Sequence, residues 1–172
     1  MLFDTNNVYL FQTGNHNSLI LNEIARFFDY EHTLLLKFKP YRQRCKENIN
    51  MGVDHVGCPI AMNGKHIGLF YKLNNSREQI VFEWWQLGKD GEEFKSIEID
   101  LGKPEKDKYY NVILRRNKNT FTLSVDGQFA QGEVGVLSED YTHSLLWLGA
   151  ATMFSEEHSF PFIGDMDKIH IT

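Results

Sequence analysis

Apolar and polar side chains alternate strictly in several stretches of this chain. In residues 120–125 the apolar side chains of Phe121, Leu123 and Val125 alternate with hydroxyl groups, and in residues 94–101 polar residues likewise separate Phe94, Ile97, Ile99 and Leu101. Successive side chains of a strand point to opposite faces of its sheet, so this alternation predicts strands with one buried face. Each such strand must pair with other strands to form a sheet, so further strand segments are expected elsewhere in the sequence.

Segments with strand character follow one another along most of the chain. They are residues 8–11, 18–21, 33–39, 53–62, 66–73, 79–87, 94–101, 109–115, 120–125, 145–148 and 167–171. Residues 24–30 fit either a helical turn or a strand. Turn-forming clusters separate the segments, and Asn63-Gly64 predicts a two-residue hairpin loop because both residues tolerate positive φ. About a dozen short strands without a long amphipathic helix predict an antiparallel all-β sandwich or barrel and disfavour an α/β enzyme.

The composition fits a single globular domain, residues 1–172, and disfavours nucleic acid as a partner. Hydrophobic residues make up 42% of the chain and aromatic residues 13%, and aromatic residues favour pleated, half-buried surfaces. The net charge is −5, with Lys and Arg mixed among Asp and Glu. Nucleic acid binding draws on a concentrated positive field, which this pattern does not supply.

Cysteine content and hydrophobic runs leave the cellular location open. Cys45 and Cys58 are the only cysteines, and one disulfide or two free thiols are both compatible with the sequence. The first residues lack the basic and apolar regions of a signal peptide, and no apolar run approaches the roughly 20 residues of a membrane span. We expect a soluble domain, either cytoplasmic or part of a larger, possibly surface-exposed protein.

Residues 109–127 open with an aromatic pair, continue with alternating aliphatic residues and a polar turn, and end in Val-Asp-Gly. This segment resembles a signature of laminin G-like and concanavalin A-like jelly rolls, with Tyr109 where Trp is usual. Residues 33–40, 146–150 and 162–171 resemble further strands of that superfamily, in the same order. The resemblance implies an antiparallel two-sheet jelly-roll sandwich, which can be one domain of a longer protein. It implies no single function, because this fold carries lectins, glycosidases, adhesion domains and spacers.

Glu98-Ile99-Asp100 is the sharpest candidate for catalysis. It is similar to the Glu-Ile-Asp-x-(x)-Glu strand of retaining β-glucanases on this fold, whose two Glu residues act as nucleophile and as acid/base. The second Glu is absent here, since Gly102 and Lys103 stand in its place. An atypical glycoside hydrolase therefore remains a second alternative, and it needs another carboxylate nearby, for instance that of Glu83.

The resemblance also makes a structural calcium ion a candidate, because many related jelly rolls hold one. The candidate ligands are Asp165 and Asp167, with Asp4 and Glu23 as weaker ones. Calcium takes roughly six to eight oxygen ligands, and no compact loop of this sequence supplies them. The His residues are dispersed along the chain, which disfavours a transition-metal site.

Trp84 and Trp85 are adjacent in one predicted strand, so their rings face opposite ways. The strand phase places Trp84 in the core with Ile80 and Phe82, and it places Trp85 outward with Glu83. By the same reasoning the outward residues of two further strands are Asn111, Arg115 and Trp147.

Outward aromatic rings accompanied by planar polar side chains are typical of glycan recognition. The predicted ligand-binding residues are therefore Glu83, Trp85, Asn111, Arg115 and Trp147, with Asn74, Asn75 and His55 as weaker loop contributors. These residues predict a non-catalytic, lectin-like carbohydrate-binding module whose partner is a glycan or polysaccharide. The first alternative is a protein-interaction or spacer domain of a larger surface or glycan-processing protein, in which loops or a partner cover the outward tryptophans.

Overall fold

The computed structural model describes residues 3–4, 9–11, 19–25, 27–41, 58–63, 67–74, 76–137, 145–152, 159–161 and 164–172. This part of the chain forms two main antiparallel sheets. The seven-stranded sheet contains β1 (Phe3–Asp4), β2 (Tyr9–Phe11), β4 (His32–Pro40), β9 (Tyr110–Asn117), β10 (Thr120–Val125), β11 (Gln128–Glu133) and β15 (Gly164–Ile171). The six-stranded sheet contains β3 (Leu19–Ala25), β5 (Cys58–Asn63), β6 (Ile67–Asn74), β7 (Arg77–Gly88), β8 (Gly91–Gly102) and β12 (Leu145–Leu148). A short pair, β13 (Ala150–Thr152) and β14 (Ser159–Pro161), lies against β5.

Local hairpins and long crossovers together build the two sheets. The strand order is β1-β15-β4-β9-β10-β11 in one sheet, with β2 also paired to β15, and β3-β12-β5-β6-β7-β8 in the other. Strands β5 to β8 and β9 to β11 follow one another along the chain, whereas β4 pairs with β9 and β15 across long stretches of sequence. The predicted fold class, an antiparallel two-sheet jelly-roll sandwich, is confirmed.

The main hydrophobic core lies between the two sheets. Trp84 of β7 stacks on Phe82 with ring centroids 5.6 Å apart, and it meets the edge of Phe121 from the other sheet at 5.1 Å. The alternating residues Phe121, Leu123 and Val125 are all fully buried, as their pattern predicts. Residues that alternate with these core positions lie on the outer faces of the sheets.

Two turns set the register of their hairpins. Asp126 and Gly127 form the two-residue loop between β10 and β11, and their φ values of 47° and 88° are the positive values that a type I′ turn requires. Between β7 and β8, Gly88 pairs with Gly91, so the loop is again two residues long. The loop sets the pairing of the residues that follow in each hairpin, up to a register shift between Glu78 and Gln79 in the β7–β8 pair.

The predicted two-residue loop at Asn63-Gly64 is wrong. Met62 pairs with Gly68, so the connection between β5 and β6 is longer than a tight turn. Asn63 is itself the last residue of β5, where it is buried and pairs with Leu146 of β12. Strand β5 lies between β6 and β12 in its sheet, and pairing with β12 overrides the turn preference of the Asn-Gly dipeptide.

The ambiguous segment 24–30 divides into two kinds of structure. Strand β3 ends at Ala25, and a short 3₁₀ turn follows over Phe27–Asp29. Both aromatic residues of that turn are buried in the core. In the described ranges no helix is long and apolar enough to cross a membrane.

Cys58 begins β5 and is disulfide-bonded. It is fully buried, which protects the bond from solvent. Cys45, the other cysteine of the chain, lies outside the described residues.

A buried carboxylate links the two sheets. Glu78 of β7 is fully buried and accepts hydrogen bonds from Tyr71 of the adjacent β6 and from Tyr110 of β9 in the opposite sheet. The distance from Tyr71 Oη to Glu78 Oε1 is 2.6 Å. A buried carboxylate is tolerated only when such donors satisfy it, so this contact fixes how the two sheets lie over each other.

Candidate functional site

The outer face of the six-stranded sheet carries two aromatic rings at the β7–β8 edge. Trp85 lies opposite Phe94, with ring centroids 5.4 Å apart and an interplanar angle of 61°. Trp85 is half-buried, Phe94 is 45% exposed, and Leu87 farther along β7 is 49% exposed. The edge-to-face contact restrains the indole while part of both rings stays open to solvent. These three residues, with Lys72 and Glu83, are termed the tryptophan face.

A lysine–glutamate pair borders the aromatic rings. Glu83 lies two residues before Trp85 in β7, on the same outer face, and is only 8% exposed. Its Oε1 forms a salt bridge with Nζ of Lys72 from the adjacent β6. The pair adds hydrogen-bonding groups beside the rings without adding net charge.

Trp147 belongs to the same sheet as the tryptophan face. Trp147 pairs with Met62 of β5, Met62 with Gly68 of β6, and Gly68 with Glu83 of β7. The backbone register therefore puts Trp147 and Glu83 in one row, about 14 Å apart over three strand spacings. The side chain of Trp147 lies outside the described part of the structure.

Asn111 and Arg115 lie on the outer face of the other sheet. Both belong to β9, in which alternate residues are buried in the core. Asn111 Nδ2 donates a hydrogen bond to Asp126 Oδ1 at 3.0 Å, and Arg115 is exposed. The outer faces of two packed sheets point in opposite directions, so these residues do not share one site with the tryptophan face. The predicted set therefore divides between two separate surfaces.

Asp165 of β15 is the centre of a polar network. Its carboxylate accepts hydrogen bonds from the hydroxyl groups of Tyr41 at 2.9 Å and Tyr109 at 3.2 Å, and it pairs with Lys39 Nζ at 3.2 Å. The hydrogen bond to Asp165 raises the pKa of Lys39. Burial is the main cause that raises the pKa values of Tyr41 and Tyr109. The three donors therefore keep their protons near neutral pH and hold the carboxylate between them.

This network does not fit a calcium ion. An ammonium group and two phenol hydroxyl groups already surround Asp165, whereas calcium takes roughly six to eight oxygen ligands. Asp167 pairs in register with Lys37, another cation. Among the described residues no group of three or more His, Cys, Asp or Glu side chains could hold a metal. The weaker candidates Asp4 and Glu23 lie in β1 and β3, and their side chains are outside the described part.

The carboxylates considered for catalysis lie on the outer face of β8. Both Glu98 and Asp100 are exposed, as predicted for this strand. Arg77 donates to Asp100 Oδ2 through Nε at 3.0 Å and Nη2 at 2.7 Å, and this contact lowers the pKa of Asp100. Glu83 is a diagonal neighbour of Glu98 in the register, but it is buried and bound to an ammonium group. Glu83 is therefore poorly placed to act with Glu98 on a substrate.

Sequence reasoning missed several residues that contribute to these surfaces. Phe94, Leu87 and Lys72 complete the tryptophan face, and the first of them could have been found. The turn at residues 88–91 fixes the β7–β8 register, which places Phe94 opposite Trp85. The weaker loop candidates are not tested, because His55 and Asn75 and the side chain of Asn74 lie outside the described part.

The topology defines a class of fold, the laminin G-like jelly roll. The LG1-3 region of the laminin alpha2 chain superposes with a TM-score of 0.53 at 10% identity, covering 97% of this chain and 31% of that one. Domains LG4-5 of the mouse laminin alpha1 chain match with a TM-score of 0.45 at 15% identity, covering 90% of this chain and 38% of that one. This chain thus spans about a third of the length of these two laminin structures.

A third solved structure is similar over most of its length. It is domain 4 of AbnA, a GH43 extracellular arabinanase from Geobacillus stearothermophilus in complex with arabinotriose. The TM-score is 0.47 at 11% identity, covering 94% of this chain and 73% of that one. No family model matches the sequence, and no curated protein matches it. At these identities the similarity shows the fold alone.

Proposed function

We propose that this chain is a non-catalytic carbohydrate-binding module whose ligand packs on the tryptophan face. The observation that carries the proposal is the Trp85–Phe94 pair, two restrained and partly exposed aromatic rings on the outer sheet face at the β7–β8 edge. Solvated sheet faces normally present polar side chains at such positions. Exposed aromatic groups on them mark binding surfaces.

The chemistry of the face suits a sugar. A pyranose ring has an apolar face that packs on an aromatic ring and hydroxyl groups at its edge that need hydrogen-bonding partners. The side chain of Lys72, 21% exposed, offers an ammonium donor beside the rings, and the buried Glu83 balances its charge. Since this pair is charge-balanced, the face favours an uncharged glycan over a strongly charged one.

The proposal is tested on the indole signal of Trp85. The chain has 3 Trp residues, and the Trp85→Phe variant assigns the indole N–H resonance of Trp85 by its disappearance. We expect that resonance to shift when neutral hexasaccharides of glucose, xylose, mannose or arabinose are titrated into the protein. Trp85→Ala and Phe94→Ala should each weaken binding at this face by about tenfold, the typical value of an aromatic contact.

Tyr30→Ala is the matched control, because Tyr30 is 64% exposed and lies in the bend before β4, outside the strands of both sheets. It should leave the affinity unchanged, and circular dichroism should show all variants folded. If the Trp85 resonance stays fixed with every glycan, the tryptophan face does not bind sugars. The protein-interaction or spacer alternative would then be preferred, with the exposed Leu87 and Phe94 as its contact residues.

A further inference from the structure

The outer face of the seven-stranded sheet carries a row of side chains that lies apart from the network around Asp165. Leu35 of β4 pairs with Ile113 of β9, Ile113 with Ser124 of β10, and Ser124 with Phe129 of β11. These four residues are termed the apolar row. The row runs perpendicular to the strands and spans three strand spacings, about 14 Å.

Exposure makes the apolar row unusual. Phe129 is 72% exposed and Leu35 is 36% exposed, and the two residues between them are half-buried. A single exposed apolar residue needs no explanation, but Leu35, Ile113 and Phe129 form an aligned strip across a solvated sheet, in which Ser124 separates Ile113 from Phe129. Within the described part of the chain no other aromatic ring covers Phe129.

Planar polar side chains border the strip. On one side, Arg115 of β9 pairs with Thr122 of β10, and Thr122 pairs with Gln131 of β11. Both Arg115 and Gln131 are exposed. Neither makes a side-chain hydrogen bond or an ion pair with any described residue, so their donors face solvent. A guanidinium and an amide at this spacing can hold several hydroxyl groups at once.

The opposite side of the strip carries charges of both signs. Lys37 pairs with Asn111 in the register, and the Asn111 side chain donates a hydrogen bond to Asp126. The Lys37 ammonium lies 4.9 Å from the ring centroid of Tyr109, so a cation–π contact stabilises its charge. Cations and carboxylates are therefore interleaved on this face, which disfavours a polymer of uniform charge.

The geometry points to a second glycan-binding surface on the apolar row, for an extended, uncharged oligosaccharide that crosses β4, β9, β10 and β11. A sugar ring packs on Phe129, and further rings follow the strip towards Leu35. Arg115 and Gln131 donate hydrogen bonds to the hydroxyl groups along one edge. The inference takes its ligand class from the proposed function, but it uses no residue of the tryptophan face.

The experiment separates the two surfaces by working in the Trp85→Ala background. The same neutral hexasaccharides are titrated, and binding is followed by the backbone amide signals of Ile113, Ser124 and Phe129. Adding Phe129→Ala or Arg115→Ala should weaken this binding by about tenfold each. Adding Tyr30→Ala, which removes a comparably exposed aromatic ring outside the row, should leave it unchanged.

The outcomes distinguish this inference from the proposed function. Binding that persists without Trp85 and weakens with Phe129→Ala supports the second surface, even if the tryptophan face itself proves inactive. Amide signals of the row that stay fixed with every neutral hexasaccharide overturn it, whatever the Trp85 resonance does. Tighter binding of a hexagalacturonate than of the neutral sugars also overturns it, because the ligand would then be an anion bound through Arg115.

Discussion

His32 is a histidine enclosed by aromatic rings. Its ring centroid is 4.0 Å from that of Phe27 and 5.3 Å from that of Phe28, and its Nδ1–H donates to the carbonyl oxygen of Tyr30 at 2.8 Å. In the described structure Nε2 has no hydrogen-bond partner. The pKa of His32 is lowered from 6.5 to about 4, mainly by burial, with a smaller contribution from the nearby Arg116 guanidinium, whereas the hydrogen bond to Tyr30 raises it. The folded protein therefore holds this side chain neutral.

Acid should destabilise the protein through His32. The unfolded chain binds a proton at this residue below pH 6.5, whereas the folded chain does so only near pH 4. The contribution of neutral His32 to the free energy of unfolding is therefore fully present above pH 6.5 and is lost as the pH falls towards 4. The free energy of unfolding should drop by about 2 kcal/mol from this residue between about pH 7 and pH 5. Urea unfolding at the two pH values measures the drop.

His32→Asn is the control for that prediction. The Asn amide can still donate to the Tyr30 carbonyl, but it does not titrate. The variant should be less stable overall, because it leaves a cavity among the rings. Its loss of stability on acidification should be smaller than that of the wild type, and an equal loss would assign the pH dependence to other groups.

Strand β11 lies unusually close to the core at Gly132. A Cβ atom built there would be 2.9 Å from Cη2 of Trp84 and 3.0 Å from Cγ2 of Ile97, so the bare backbone makes room for the indole. Gly132→Ala should therefore lower the free energy of unfolding by about 1–3 kcal/mol, the usual cost of overpacking a core. Urea or thermal unfolding measures the effect.

Gly135→Ala provides the matched substitution a few residues along the chain. The nearest atom to its added Cβ is Nε2 of Gln86 at 3.5 Å, an ordinary contact with a flexible side chain. We expect stability close to the wild type. If both variants lost the same stability, the cause would be general to the segment and the close approach to Trp84 would not explain it.

Pairing between strands was predictable where a turn fixes it. The two-residue loops at residues 89–90 and 126–127 set the register of their hairpins, and with it the Trp85–Phe94 contact. Strand β11 was not predicted, because Gln128–Glu133 contains no β-branched residue and is largely exposed. The failure at Asn63-Gly64 has a different cause, since Asn63 belongs to β5 and pairs with Leu146 of β12, a strand far along the sequence.

At the scale of the whole molecule, strand phase predicts which residues face outward but not which sheet they belong to. Glu83 and Trp85 were correctly placed outward, as were Asn111 and Arg115, yet the two pairs lie on opposite sides of the sandwich. Which sheet a strand joins is decided by long-range pairings such as β4 with β9 and β15. Those pairings leave no signal within a single strand, so the site could be predicted only in pieces.

Two glycan surfaces on opposite sides of one sandwich would make the molecule a cross-linker. The sheets pack about 10 Å apart and their outer faces point away from each other, so one extended chain cannot lie on both. The protein should therefore bridge separate molecules of a neutral polysaccharide that it binds, and turbidity or viscosity should rise to a maximum near equal numbers of sites and fall again in excess protein. Trp85→Ala and Phe129→Ala each weaken one surface by about tenfold, so at a concentration that fills only the intact surface each should still bind the polysaccharide without raising its viscosity. Bridging that survives in both variants would point instead to self-association of the protein, because neither variant then retains two different surfaces.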